Sequence, residues 1–426
     1  MFAPVVDRAF FPLDEELELL PGKLTPHAHE CLIRFGAILP FAKAAKELAF
    51  TLKVAVSEAT ARRYVESAGQ AYEDYQTAEV ERLEKTCPAV EKNPPEKTFL
   101  SVDGAMVPLV GGEWGEVKTL VIGEIQAPVL EAGEWVVHSK NHSYFSRMTE
   151  SSQFQRLALV ETHARGIEKA GLIAAVTDGA EWEQGFIDFH CVSVAQVVKI
   201  LDFPHAAERV HQVGEAVLGA GSAPAKKWLG ERLHELKQDG PSGLLAELAA
   251  LKEQKPDLAV LQKNHAYLEK RAEHMQYPRY RAQGLPIGSG AMESGNKVVV
   301  EARLKGAGMH WAIPHINPML ALRNMLCSER WPEGWIQLTD TMRQKECQRR
   351  KELHQRRRHS TQQKLPESSV NPQILQEPAL PPMPVPSVVS PSIPAPKSAI
   401  PAPNHPWRCS PIGKAKFLPP VQFSKN

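Results

Sequence analysis

Between Thr98 and Asp178 the chain alternates in a way that few folds accommodate: three β-type runs, one helical stretch and a fourth β-type run. TFLSVDGAMVPLV, EVKTLVIGEIQA and GEWVVHSKNHSYF are separated by Gly-rich turns and read as a three-stranded meander. SSQFQRLALVETHARGIEKAG follows as one amphipathic helix, and LIAAVTDG as a strand. Beyond Asp178 the spacing becomes helical. VSVAQVVKILD, FPHAAERVHQVGEAVL, KKWLGERLHELKQ, GLLAELAALKEQ and LQKNHAYLEKRAEHMQYPRY each carry apolar residues three and four apart.

Three strands, a helix and a fourth strand open a ribonuclease H-like domain, where the first and fourth strands lie side by side. In that order Asp103 of SVDGA and Asp178 of TDGAEW are expected to meet, although 75 positions separate them. Each closes an apolar strand-like run and precedes Gly-Ala, and ligands of open α/β sheets gather at the carboxyl ends of strands. Asp-Gly is also a common turn pair, and an acid at a strand end is often only solvated. A third acid, Glu293, follows the Gly-rich turn of PIGSGAMESGNK, in a helix starting near Ala291 and running through GNKVVVEARLK. Three carboxylates from separate segments suit a hard divalent cation, and a metal pair about 4 Å apart suits in-line phosphoryl transfer. Asp103, Asp178 and Glu293 are therefore the candidate catalytic acids and the candidate metal ligands. Magnesium is the expected ion, with manganese substituting.

The composition is globular, 43% hydrophobic and 23% charged over 426 residues, enough for two or three domains. A net charge of +1 neither supports nor excludes nucleic acid, because only clustered Lys and Arg release counterions from phosphates. The basic cluster is 343–364, and much of the acid lies in 13–20 and 79–96. Six cysteines without a CxxC pair speak against a zinc finger and a disulfide framework and fit a reducing cytoplasm. MFAPVVDRAFFPLDEE lacks the pattern of a signal peptide, and no long apolar run reads as a membrane span, so an intracellular protein without membrane association is expected.

Residues 1–95 read as helical. Within 41–72, PFAKAAKELAFTLKVAVSEATARRYVESAG resembles a helix-turn-helix, with Ser57 capping a second helix that carries Arg62 and Arg63. That helix could enter a major groove; a plain helical hairpin fits the same residues. Residues 72–92 form a charged helix broken by Pro94-Pro95. The basic segment 341–364 continues a helix able to bind phosphates, and 365–426, with 16 prolines in 62 residues, is expected to be a disordered Pro-rich tail.

SVDGA, TDGAEW, LDF-x-HAAE at 201–208, GLPIGSGAMESGNK and RLKGAGMHW occur in one order that resembles the DDE transposases of Kra-type bacterial insertion sequences, over roughly residues 24–335. The resemblance implies a ribonuclease H-like catalytic domain and magnesium-dependent cutting and rejoining of the element's terminal DNA, with Asp103, Asp178 and Glu293 as the catalytic acids. On this reading the chain comprises an N-terminal helical DNA-binding region (1–95), the first part of the core (96–190), an all-helical insertion (191–282), the final core helix (283–340), a basic helix (341–364) and the tail (365–426). One departure is visible: Pro204 stands where the family usually has an aromatic residue before the histidine. Asp202 could cap that helix, with Pro204 in its first turn, and Asp202 and His205 are second-choice site residues. His205 could touch a scissile phosphate or simply pack, and His190 reads as a core or surface residue. Lys297, Arg303 and Lys305 would hold a DNA backbone and Trp311 could stack on an unpaired base; the alternative is a helix with a solvated basic face and a buried Trp.

The expected partners are double-stranded DNA, both the terminal repeats and the target, and further copies of the chain, because two element ends must be joined. Two alternatives stay open. One is a metal-dependent nuclease of the same fold, and the other a transposase-derived DNA-binding protein that no longer cuts.

Overall fold

The computed structural model describes residues 19–90, 93–131 and 133–362; the expected Pro-rich tail, 365–426, lies outside them. The architecture is mixed α/β. Three helices come first: α1 (Pro26–Ile38), α2 (Phe41–Leu52) and α3 (Glu58–Thr86). Hydroxyls start two of them, Thr25 accepting from Ala28 N at 3.4 Å and Ser57 from Thr60 N at 3.1 Å, as N-caps do.

A five-stranded sheet follows, in the spatial order β5-β2-β1-β6-β7. Its strands are β1 (Lys97–Pro108), β2 (Trp114–Ile125), β5 (Ser139–Arg147), β6 (Leu172–Thr177) and β7 (Gln196–Leu201). Between β2 and β5 a separate small hairpin, β3 (Val129–Glu131) with β4 (Glu134–Val136), projects Leu130 and Trp135 into solvent. β1 runs antiparallel to β2 from Thr98 to Pro108 but parallel to β6 only from Lys97 to Leu100. β6 pairs in parallel with β7 over all six residues.

Side chains alternate across a strand, so each face gathers its own core. Leu100, Val102, Leu120, Phe145, Ile173 and Ala175 pack on one face with Phe154, Phe186 and Ile187, which come from α4 (Ser151–Leu157) and α6 (Glu181–His190). Phe99, Ala105, Val107, Val121, Ala174, Val176 and Ile200 belong to the other face, which is covered by later helices. Among these are α7 (Phe203–Leu218), α10 (Ala259–Lys270), α12 (Gly290–Gly295) and α14 (Ile316–Cys327). The N-terminal helices share one compact unit with the sheet, α3 packing along α14 and along α15 (Trp331–Gln362). Among the described residues no helix is long and apolar enough to cross a membrane.

Several local expectations are corrected. VSVAQVVKILD is not a helix; its second half is β7, because Val197, Val198 and Ile200 suit a pleated surface and the free edge of β6 supplies the hydrogen bonds. The single helix expected over 151–171 is broken into α4, α5 (Leu159–Ala164) and a 3₁₀ turn, Ile167–Lys169. The expected third strand is divided into β4 and β5. The second helix of the helix-turn-helix candidate and the charged helix after it are one helix, α3, which ends at Thr86 where Cys87 turns left-handed, before Pro94-Pro95. The stretch LQKNHAYLEKRAEHMQYPRY bends through a 3₁₀ turn, Ala272–Met275, before α11 (Tyr277–Ala282). Asp103 does not close its strand; β1 continues to Pro108, with Asp103 opposite Thr119.

Two packing constraints are testable. A Cβ on Gly69 of α3 would lie 2.2 Å from the main-chain oxygen of Pro318 on α14, and backbone yields little. Gly69→Ala is expected to lower stability by about 1–3 kcal/mol, the range for overpacking, as read by denaturant unfolding. His29 of α1 is buried edge-on to Tyr64, neither ring nitrogen has a partner, and burial lowers its pKa from 6.5 to about 4. Between those values the unfolded chain binds the extra proton, so stability is held above pH 6.5 and falls as the pH drops toward 4. His29→Phe keeps the ring and removes that proton, and its melting temperature should fall less than the wild type's on acidification through this window.

Candidate active site

Strand alternation places the acids. Phe99 and Ala105 of β1 share a face with Asp103, two residues apart in each step, and Ala174 and Val176 of β6 lead by the same step to Asp178. Ile200 of β7 leads likewise to Asp202. Three adjacent strands thus deliver one aspartate each to the same side of the sheet, the side on which α12 lies.

Each carboxylate is held by a main-chain N–H group, which replaces hydration lost by the half-buried Asp103 and Asp178 and the fully buried Asp202. Gly104 N donates to Asp103 Oδ1 at 2.6 Å, and Ala180 N to Asp178 Oδ1 at 2.8 Å. Ser289 N donates to Asp202 Oδ1 at 2.6 Å, while Asp202 Oδ2 is buried without a hydrogen-bond partner and His205 Nε2 stands 3.9 Å from it. Asp202 thus occupies the N-cap position of α7 but spends its side chain on the loop leading to α12, not on the helix. Burial raises the Asp103 carboxyl above the usual range; Gly104 N–H and His205 pull it down, and the charges of Asp178 and Glu116 push it up. Burial also raises the Asp202 carboxyl, against the Ser289 N–H.

A fourth acid stands beside them, one that sequence reasoning passed over. Glu183 of α6 is fully buried, and its Oε2 accepts from Gly179 N and Ala180 N, both at 3.1 Å. Ala180 N is therefore shared with Asp178. Burial, a hydrogen bond to Asp178 and the charges of Asp178 and Asp103 raise the Glu183 carboxyl to about 10. The only hint in the sequence is its position three residues after Ala180, where a capping glutamate reaches back to the start of a helix.

The loop bearing Asp178 is clamped from the helical stretch after β7. Tyr267 Oη donates to the Asp178 carbonyl. Arg271 Nε donates to the Gly179 carbonyl at 3.1 Å and stacks 3.8 Å from the Tyr267 ring. Gly179 has φ +83°, and a Cβ there would lie 2.4 Å from Arg271 Nε, so glycine is required.

Glu293 lies in α12, which begins at Gly290 and continues through a π-helical segment, Asn296–Glu301. Its carboxylate is 60% exposed and 3.9 Å from Lys297 Nζ. The link from this helix to the sheet is made by Asn296, whose Nδ2 donates to Asp103 Oδ2 at 3.0 Å. Among the described residues no three His, Cys, Asp or Glu side chains converge closely enough to hold one metal ion. The donors of Asp103 and Asp178 nonetheless fit a hard divalent cation: they are carboxylates on one face, and the charge of Asp178 disfavours ionisation of Asp103, a repulsion that a cation would relieve.

The expected DNA contacts separate into two groups. Lys297 is exposed, Lys305 is ion-paired with Glu301 at 2.7 Å, Arg62 lies 4.0 Å from Glu66, and Arg63 is exposed beside the Tyr64 ring. Arg303 and Trp311 are corrections, because both are buried. The Arg303 guanidinium donates to the Gly36 carbonyl at 3.0 Å and lies between the rings of Phe41 and Trp311, at 4.8 and 5.1 Å. Burial and the nearby Arg323 charge lower its pKa to about 10. Trp311 Nε1 donates to the Leu304 carbonyl at 3.1 Å, so its ring is structural. His190 is a core residue, its ring between Thr162 Oγ1 at 3.1 Å and the Gln155 carbonyl at 2.8 Å. A cavity of about 540 Å³ lies beside the site, between β4 and the loop 285–290; Trp135, Phe203, Pro204, Lys237 and Arg281 line it, and the acids do not.

The chain matches no family model and no curated protein.

Because Arg303 joins α1, α2 and the region after α12, Arg303→Ala is expected to cost about 2–4 kcal/mol, the sum of a charged hydrogen bond and desolvated cation–π contacts. If the wild type binds DNA, its affinity per folded molecule, measured by fluorescence anisotropy below the melting temperature, should be unchanged in this variant, because the buried guanidinium is out of reach of a ligand.

Proposed function

We propose that the chain is a DDE transposase of an insertion sequence, with a ribonuclease H-like core that cuts element-end DNA and transfers the freed 3′-hydroxyl to a target. One observation carries the reading: Asp103 and Asp178 lie on one face of two hydrogen-bonded parallel strands, and the helix bearing Glu293 is tied to Asp103 through Asn296. The pairing of β1 with β6, the first and fourth strands of the expected order, and the helices between β7 and α12 support it.

In this reading Asp103 and Asp178 would hold magnesium or manganese, and Glu293, exposed in the free chain, completes the set when DNA is bound. Cations held there would supply activation of water and neutralisation of charge on the reacting phosphate. The protein's own part is to orient and to desolvate. Gly104 and Ala180 N–H groups fix one oxygen of each aspartate, Tyr267 and Arg271 hold the Asp178 loop, and Asp202 holds the turn that aims α12. Both steps are in-line displacements at phosphorus, so one set of acids serves cutting and joining, and no covalent enzyme intermediate is needed. Lys297, Lys305, Arg62 and Arg63 are the exposed or partly exposed cations offered to the DNA backbone. α2 and α3, with Ser57 capping the second, support a helix-turn-helix reader of the terminal repeats, and joining two ends calls for two or more copies of the chain.

A second reading is favoured by the exposure of Glu293 and by the lack of three converging ligands among the described residues: a DNA-binding protein that no longer cuts. Incubation of the purified chain with DNA from the flanks of its own gene separates the two. Wild type should nick at the element boundary with magnesium and not with EDTA. Asp103→Ala, Asp178→Ala and Glu293→Ala should each bind but cut about 100-fold more slowly or worse, since even outer partners of a metal are worth about 10- to 100-fold. Binding without cutting by the wild type establishes the second reading; cutting that survives Glu293→Ala removes Glu293 from the set.

A further inference from the structure

Asn296 opens the π-helical segment three residues after Glu293, and it is 7% exposed. Its amide spans 193 positions of sequence to reach Asp103 Oδ2 at 3.0 Å. The other oxygen of that carboxylate takes Gly104 N–H. Each oxygen of Asp103 therefore has one fixed donor and keeps one free lone-pair direction. Meanwhile Asn296 Oδ1 is buried with no partner. The polar contact of this amide with the rest of the chain is thus made by its donor, to Asp103.

The helix does not need this amide to stay in place. A Cβ on Gly295 would lie 2.9 Å from both Tyr144 and Val121, so the backbone there already rests against β5 and β2. Carbonyls within the π segment are met by Arg323, whose guanidinium donates to Val298 and Val299. π-bulges of this kind often occur at functional sites, where they turn one side chain out of helical register. The side chain at the start of this bulge is the one that meets Asp103.

We propose that Asn296 is a positioning residue of the cation site: its amide donor sets the orientation of the Asp103 carboxylate and couples it to the helix bearing Glu293. The inference rests on Asp103 being a cation ligand, and its test reads cation affinity without DNA. Manganese is titrated calorimetrically into the full chain and its variants. Wild type should bind Mn²⁺ and Asp103→Ala should not. Asn296→Leu, which fills the space without a donor, should weaken binding about tenfold or more, as loss of partners behind a metal ligand does. Asn296→Asp sets a like charge against Asp103, so its metal-free melting temperature should fall and Mn²⁺ should restore it by more than Mn²⁺ raises the wild type.

Wild-type affinity in Asn296→Leu, or an equal response to Mn²⁺ in Asn296→Asp and wild type, would reduce Asn296 to packing and overturn the proposal. So would a wild type that takes up no Mn²⁺, or Mn²⁺ binding that survives Asp103→Ala. A chain whose Mn²⁺ binding depends on Asp103 and is weakened in Asn296→Leu, yet which cuts no DNA, leaves this inference standing and ends the transposase reading instead.

Discussion

The candidate site depends on a short parallel pairing, Lys97–Leu100 of β1 against Leu172–Ala175 of β6. A parallel pair requires a crossover, and the chain supplies it through β2, β5 and the broken helices α4 and α5. Ser101 extends the contact by donating its hydroxyl to the Val176 carbonyl at 2.6 Å. Beyond that point β1 stays with β2 and leaves β6, and the acids stand where the two strands part. Asp103 sits in mid-strand and Asp178 just past a strand end, yet the alternation of side chains brings both to the same face. With the pairing shifted by one residue, Asp103 would face the opposite core.

Gathering Asp103, Asp178 and Asp202 on one side of a sheet, with Glu183 of α6 reaching the Asp178 loop, is unfavourable by itself, because carboxylates lose hydration and repel one another. The structure offsets this with main-chain N–H groups of loops rather than with cationic side chains: Gly104, Gly179, Ala180 and Ser289 all donate to one or another of these acids. Such loops need small residues, which accounts for Asp-Gly-Ala after β6 and for the glycines around Ser289. The helices inserted after β7 form part of the site, since Tyr267 and Arg271 bind the Asp178 and Gly179 carbonyls. An all-helical stretch far along the sequence thereby stiffens a loop laid down ninety residues earlier. The negative charge left on this face is what a divalent cation would neutralise.

Much of this was legible in the residues. The strand-like runs around Asp103 and Asp178 have Val, Leu and Ile at strand spacing, and the helices from Phe203 to Lys270 carry clear apolar periods. β7 was not legible, because a short apolar run with Val at 197 and 198 fits either period, and only the open edge of β6 decides it. Arg303 and Trp311 read as a basic, aromatic DNA surface because local spacing does not reveal depth. Phe41 and Gly36, more than two hundred and fifty positions away, bury the arginine. Asn296 and Glu183 had no chemical signal of their own, since an amide in a helix and an acid in a first turn are ordinary residues. Their significance comes from the contact with Asp103 and from the N–H shared with Asp178, which only the folded chain makes.

Both proposals require Asp103 and Asp178 to share one cation site on the face of the sheet. Anomalous diffraction from crystals of the chain grown with Mn²⁺ and end DNA tests it most directly. Manganese density is expected within bonding distance of both aspartates, with Glu293 drawn toward it. Manganese bound elsewhere, with the two carboxylates keeping only their main-chain partners, would contradict it.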